Sequence, residues 1–168
     1  MRFVLANRHL IAAGGTEVHL VTLGEHLQRL GHDVVLYAPE LGPFADHARR
    51  RGLEVTSALH DLGEDCEVVF AQDAIVVYEL AERFPGALMV FRVCGDVFDF
   101  QLAPQLDGVV DLVVVLSDRY ERLAASCAAK VPLLRLPVPI DVDRLVSLGA
   151  LRARPERAVL LGNYDDRK

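Results

Sequence analysis

The stretch "ANRHLIAAGGTEVHLVTLGEHLQRLGHDVVLYAP", residues 6–39, decides the fold of this chain. A short apolar run, residues 3–6, suits a strand buried on both faces. After the glycine pair Gly14 and Gly15, residues Leu20, Leu23, Leu27 and Leu30 fall on one face of a helix. Thr16 is placed to cap the start of that helix, and Gly31 stands where a helix-ending glycine belongs. "DVVLYA", residues 33–38, is the next buried strand. Strand, helix and strand in so short a span make a βαβ unit, whose crossover is right-handed in ~98% of cases.

Working outward, the alternation continues. A short helix over residues 44–51 ends at Gly52, and "LEVTSA" follows as a strand. "CEVVFA" (66–71), "ALMVFRV" (87–93) and "DLVVVLS" (111–117) are apolar and β-branched, with helices expected over residues 74–84 and 118–129. "LLRLP", residues 133–137, is a last, shorter strand. The expectation is an α/β, Rossmann-like three-layer sandwich with a mostly parallel sheet, and with ligands at the carboxyl ends of its strands. Past about Val146 the pattern changes to a linker-like "SLGALRARPER", after which residues 158–161 open a fresh strand. The predicted division is therefore a domain over residues 1–150, then a linker and the first strand of a missing domain over residues 151–168.

At 168 residues the chain fits one such domain, of a size that buries roughly 70% of its unfolded surface. The net charge of −6 argues against a general nucleic-acid binder, because phosphate contacts need excess Lys and Arg. Three cysteines, Cys66, Cys94 and Cys127, lack any metal-ligand spacing, so no metal site is expected. The odd cysteine count and the absence of a secretory signal point to reduced thiols in a cytoplasmic protein. No apolar run approaches the ~20 residues a membrane span needs.

The glycine pair is the first candidate for function. A dinucleotide fingerprint needs G-x-G-x-x-G tight against the first strand and an acidic residue closing the second. Here no third glycine is in register, Glu40 is poorly placed, and a G-x-x-x-x-G-K phosphate loop is absent. What remains is a long loop whose Gly14–Gly15 pair leads into a helix N-terminus. That end offers free N–H groups and a partial positive charge to an anion.

Four segments, in order, carry a resemblance that covers nearly the whole chain. "GGTEVHLVTLGEHLQRLGHDVVLYAP" resembles the N-terminal signature of family 4-like retaining glycosyltransferases, a Gly-Gly-x-Glu turn before a leucine-spaced helix, Gly-His and a strand. "VVVLSDRYERLAA" looks like that family's strand ending in Ser, and "LRLPVPIDVDRL" like its loop of Pro and Ile-Asp. "VLLGNYDDRK" is similar to the first strand of the family's second domain, with Lys168 six residues after Gly162. The resemblance implies one half of a GT-B architecture, two facing Rossmann-like domains. A nucleotide-diphosphate sugar is held mostly by the second domain, and a hydroxyl acceptor (glycan, lipid or small molecule) mostly by the first. It implies that Gly14 and Gly15 face the cleft close to the donor phosphates, with Ser117 and Asp141 near it and Glu17 among the substrate-binding residues. Gly162 and Lys168 would contribute to the donor-phosphate site. No cofactor is implied beyond the sugar nucleotide as co-substrate.

The departures matter as much. Family members often carry His-x-His-Asp after the fourth strand and His-Gly after the fifth, where this chain reads "FAQD" and "VCGD". Gln72 and Cys94 thus stand in place of imidazoles, and Asn163 replaces the second-domain Arg. Arg92, inside an apolar strand, needs an anionic partner, for which the carboxylates of Asp73 and Asp96 are first choice and a phosphate second. Cys94 and Asp96 are read as cleft-lining. His19 and His26, seven apart, share a helical face turned away from the leucines, read as solvated. The basic "HARRRG", residues 47–52, complements a helix C-terminus, leaving little reason to invoke a membrane surface.

The resulting expectation is the acceptor-side domain of a retaining sugar transferase, with Arg92, Cys94, Asp96, Ser117 and Asp141 lining the acceptor cleft. Alone it is expected to be inactive, needing a C-terminal donor-binding domain or subunit. The alternative is a non-catalytic Rossmann-like module that binds a partner subunit, as the missing histidines would allow.

Overall fold

The computed structural model describes residues 1–105, 107–127, 130–140 and 142. Seven strands form one parallel sheet: β1 (Arg2–Ala6), β3 (Asp33–Tyr37), β5 (Glu54–Thr56), β6 (Val68–Ala71), β7 (Leu88–Arg92), β8 (Leu112–Val115) and β9 (Leu133–Arg135). Their order is β5-β3-β1-β6-β7-β8-β9. From β1 the chain first winds one way to β3 and β5, then returns to the other side of β1 with β6. The strand order therefore reverses between β1 and β6, and the crevice beyond their carboxyl ends is where a ligand finds room between diverging loops.

Register divides the side chains into two faces. Val4 and Ala6 of β1, Val35 and Tyr37 of β3, and Phe91 of β7 point into one core, closed by α3 (Ala74–Arg83) and α4 (Asp118–Cys127). Leu5 of β1 and Val34 and Leu36 of β3 point the other way, against α1 (Gly15–Arg29) and α2 (Pro43–Arg50). These are the three layers expected. Leu20 and Val21 of α1 are buried in that second core. Gly24 lets the helix lie close to the sheet: a Cβ there would stand 3.1 Å from Leu53 and 3.4 Å from Leu5.

Gly31 ends α1 at φ +83, with His32 N donating to Leu27 O at 3.1 Å, a Schellman-type closure that only a glycine adopts without strain. The expected start was different. Gly14, not Thr16, is the N-cap residue, and Thr16 lies inside the first turn with its hydroxyl turned to Glu17. The strands and helices are shorter than their apolar runs, since only backbone in register pairs. One small element was not anticipated: β2 (His9–Leu10) pairs with β4 (Glu40–Leu41) and pins the first loop beside α2. The expected linker and strand over residues 151–168, and with them Gly162 and Lys168, lie outside the described residues, as does Asp141. Among the described residues no helix is long and apolar enough to cross a membrane.

Candidate functional site

The carboxyl ends of β1, β6 and β7 and the N-terminus of α1 enclose a cleft of about 720 Å³. Gly14, Gly15, Glu17, Arg92, Cys94 and Asp96 all line it, joined by Asn7, Gln72 and Tyr120. Ser117 does not. It stands at the head of α4, where its Oγ accepts from Tyr120 N at 3.5 Å, so it positions the turn that bears Tyr120.

One wall is built where β1 turns into the glycine loop. Asn7, buried, donates from Nδ2 to Glu17 Oε1 at 2.9 Å and to His9 O at 3.2 Å. His9 Nδ1 lies 3.2 Å from the same carboxylate oxygen, and Thr16 Oγ1 donates to Glu17 Oε2 at 3.0 Å. The Glu17 carboxylate folds back over Gly14 so closely that a Cβ there would lie 2.3 Å from Oε2. Gly14 is a glycine because Glu17 needs its space. Gly15 differs: nothing stands within 4 Å of where its Cβ would be, so that side of the helix end is open to the cleft. The first helical hydrogen bond runs from Val18 N to Gly14 O, at 3.0 Å. The amides ahead of it belong to the turn whose N–H groups an α-helix leaves unpaired.

The other wall is the end of β6 and β7. Gln72, 1% exposed, is tied to β1 by its N donating to Ala6 O at 3.1 Å and to α1 by its Nε2 donating to Thr16 O at 3.0 Å. Its Oε1 accepts from Arg92 Nη1. Cys94 Sγ donates to Gln72 O at 3.3 Å, and burial pushes that thiol up to about 11, so it stays protonated and is no nucleophile at neutral pH. The sequence-based pairing of Arg92 with a carboxylate is not what the fold makes. Asp96 accepts from Arg119, while Asp73 caps α3 by accepting from Ile75 N at 2.8 Å. Each carboxylate is taken by a nearer donor, leaving Arg92 a neutral amide as its partner.

His19 also departs from expectation. It is buried rather than solvated, stacked on Phe70 with ring centroids 5.9 Å apart. Burial, and then the neighbouring Arg92 charge, lower its pKa to about 4, and its Nδ1 has no hydrogen-bond partner. The leucine pattern shows which residues share a helical face but not which strand covers the opposite one. Phe98 and Phe100, which also line the cleft, stack at 5.2 Å, with Arg8 placed 5.4 Å over the Phe100 ring. Among the described residues no group of three His, Cys, Asp or Glu side chains is placed to hold a metal ion.

A second opening, about 520 Å³, lies between α1 and α2 and is lined mainly by apolar side chains such as Ile11, Val18, Val21 and Phe44. The arginines beside it are engaged: Arg49 with Asp46 at 2.9 Å, and Arg51 with Glu25 at 2.7 Å. It offers few polar groups to orient a ligand, whereas the cleft at the strand ends offers many.

Residues 13–86 match the model of a family described as Glycosyltransferase Family 4. No curated protein matches the chain. The matched span runs from the glycine pair through α1, β3 and α2 to the end of α3, and so includes Gly14, Gly15, Glu17 and Gln72.

Proposed function

From a chain that carries an N-terminal, family 4-like glycosyltransferase domain, we propose a transferase that moves a sugar from a nucleotide-diphosphate sugar to a hydroxyl acceptor. The observation that carries this reading is the placement of the open helix end at Gly15 in one cleft with Arg92 and Gln72, beyond the strand-order reversal. When a glycosyl–phosphate bond breaks, negative charge grows on the leaving diphosphate. Free amides and the positive end of α1 lower the energy of that charge without having to reorganise. Gly14 and Gly15 face the donor phosphates in this reading. Arg92, Cys94 and Asp96 line the acceptor side, with Ser117 setting the turn behind them.

The architecture in this reading is half of a GT-B enzyme of the retaining kind, working in the cytoplasm. A second Rossmann-like domain or subunit supplies most donor contacts, Gly162 and Lys168 leading into it, and Asp141 approaches the cleft from the following loop. The sugar nucleotide is a co-substrate, and no resident cofactor takes part. The 168 residues alone bind a nucleoside diphosphate but do not turn over. A second reading, a non-catalytic binding module, draws support from Gln72 and the protonated Cys94, neither of which can serve as a general base.

The test combines calorimetric titration of the chain with UDP, GDP and ADP and incubation with the corresponding sugar nucleotides and hydroxyl acceptors. Saturable binding of at least one diphosphate with no transferred sugar is the expected result. Absence of binding by all three contradicts the donor reading, and transfer by the isolated chain contradicts its dependence on a second domain.

A further inference from the structure

Arg92 is the last residue of β7, the strand between β6 and β8, lies in register with Val114 of β8, and is 5% exposed. Burying a guanidinium is costly unless an anion accompanies it, because water's solvation of the charge is lost. Among the described residues no carboxylate lies within salt-bridge distance of Arg92, and its one hydrogen bond is from Nη1 to the neutral Gln72 Oε1. Its Nε is fully buried with no partner at all. The acidic groups around the cleft are committed elsewhere: Glu17 to Asn7 and Thr16, Asp73 to the start of α3, Asp96 to Arg119. His19, which packs on Phe70 nearby, supplies no negative charge either.

We propose that Arg92 is the recognition point for an anionic group, a carboxylate or a phosphate, carried by the acceptor. The cleft that Arg92 lines is where such a group arrives, and a planar guanidinium whose hydrogen bonding is incomplete suits either oxyanion. The acceptor assignment rests on the transferase reading above. It separates Arg92 from the donor because Gln72 stands between the two positive points, its Nε2 holding Thr16 O on α1 and its Oε1 holding Arg92. One positive point is a helix end on the α1 wall. The other is a side chain on the β7 wall.

The test follows the Arg92 Nε–H resonance of the 15N-labelled 168-residue chain during separate titrations with acetate, inorganic phosphate and UDP. Acetate or phosphate moves that resonance saturably, and the one that binds tighter identifies the acceptor's group as carboxylate or phosphate. Arg92→Gln then weakens that anion roughly tenfold or more while UDP affinity stays within about twofold. An Arg92 resonance that neither small anion moves overturns the proposal, and it does so on wild-type protein whether or not the variant folds. So does a resonance moved by UDP in competition with phosphate, which would give Arg92 to the donor. If calorimetry finds no UDP binding while acetate or phosphate still moves Arg92, the anion site stands and the donor reading fails.

Discussion

The two walls of the cleft solve the same problem in opposite ways. On the β1–α1 wall the buried polar groups answer one another: Asn7, His9 and Thr16 converge on the two oxygens of Glu17. On the β6–β7 wall Arg92 Nε has no partner, nor has Nδ1 of His19, the α1 residue stacked on Phe70 of β6, and the one strong contact of Arg92 is to an amide. A buried donor or acceptor without a partner costs about 1–3 kcal/mol, and more when charged, so the first wall stabilises the fold and the second draws on that stability. The lesson is that a closed network is scaffold, whereas an open one is where a ligand completes the hydrogen bonding.

Substitution of Glu17 should break the comparison most strongly. Glu17→Ala leaves Asn7 buried with one partner fewer and removes the carboxylate folded over Gly14, costing about 3 kcal/mol in denaturant unfolding. A loss below about 1 kcal/mol would mean that the first wall is not the stabilising one.

Acid sharpens the contrast from the other side. His19 has a native pKa of about 4 against 6.5 when unfolded, so the unfolded state binds the extra proton between those values. Stability is therefore complete above pH 6.5 and falls as pH drops toward 4, by at most about 1.4 kcal/mol per pH unit. Asp73, whose pKa burial raises, contributes a slope of opposite sign in acid. The difference between wild type and His19→Phe isolates the histidine. If the two unfold with the same pH dependence from 6.5 to 4, His19 is not held neutral by its burial against β6.

The smallest effect on stability is expected at Gly15. Since no atom lies within 4 Å of the added Cβ and alanine favours a helix, Gly15→Ala should shift stability by a few tenths of a kcal/mol and in the favourable direction. The same methyl group intrudes where a diphosphate approaches, so UDP affinity falls. Thermal melts and calorimetry on one preparation check both parts, and unchanged affinity would move the ligand away from this helix end.

Much of this was legible in the sequence because the periods are clean. Runs such as "VVLY" and "LVVV" are apolar at every position, which marks strands covered on both faces; Leu20, Leu23 and Leu27 mark the inner side of α1, while Leu30, past its last turn, is exposed. Gly31 stops its helix as read, since positive φ leaves little choice of residue. The first turn of α1 was misread because Thr16 is a good cap in isolation, yet Glu17 takes its hydroxyl and lets glycine begin the helix. For Arg92, sequence supplies two carboxylates at plausible strand ends, and only the fold reveals that Arg119 and the α3 amide reach them first. Asn7 and Tyr120 carried no signal beyond following a strand and starting a helix.

The measurement closest to the central claim is an amide chemical-shift map of the labelled chain titrated with UDP. The account predicts that the shifts concentrate at Gly14, Gly15, Thr16 and Gln72, leaving Val21, Phe44 and His47 of the apolar opening unmoved. Shifts centred on that opening, or none at the glycine pair, would contradict it.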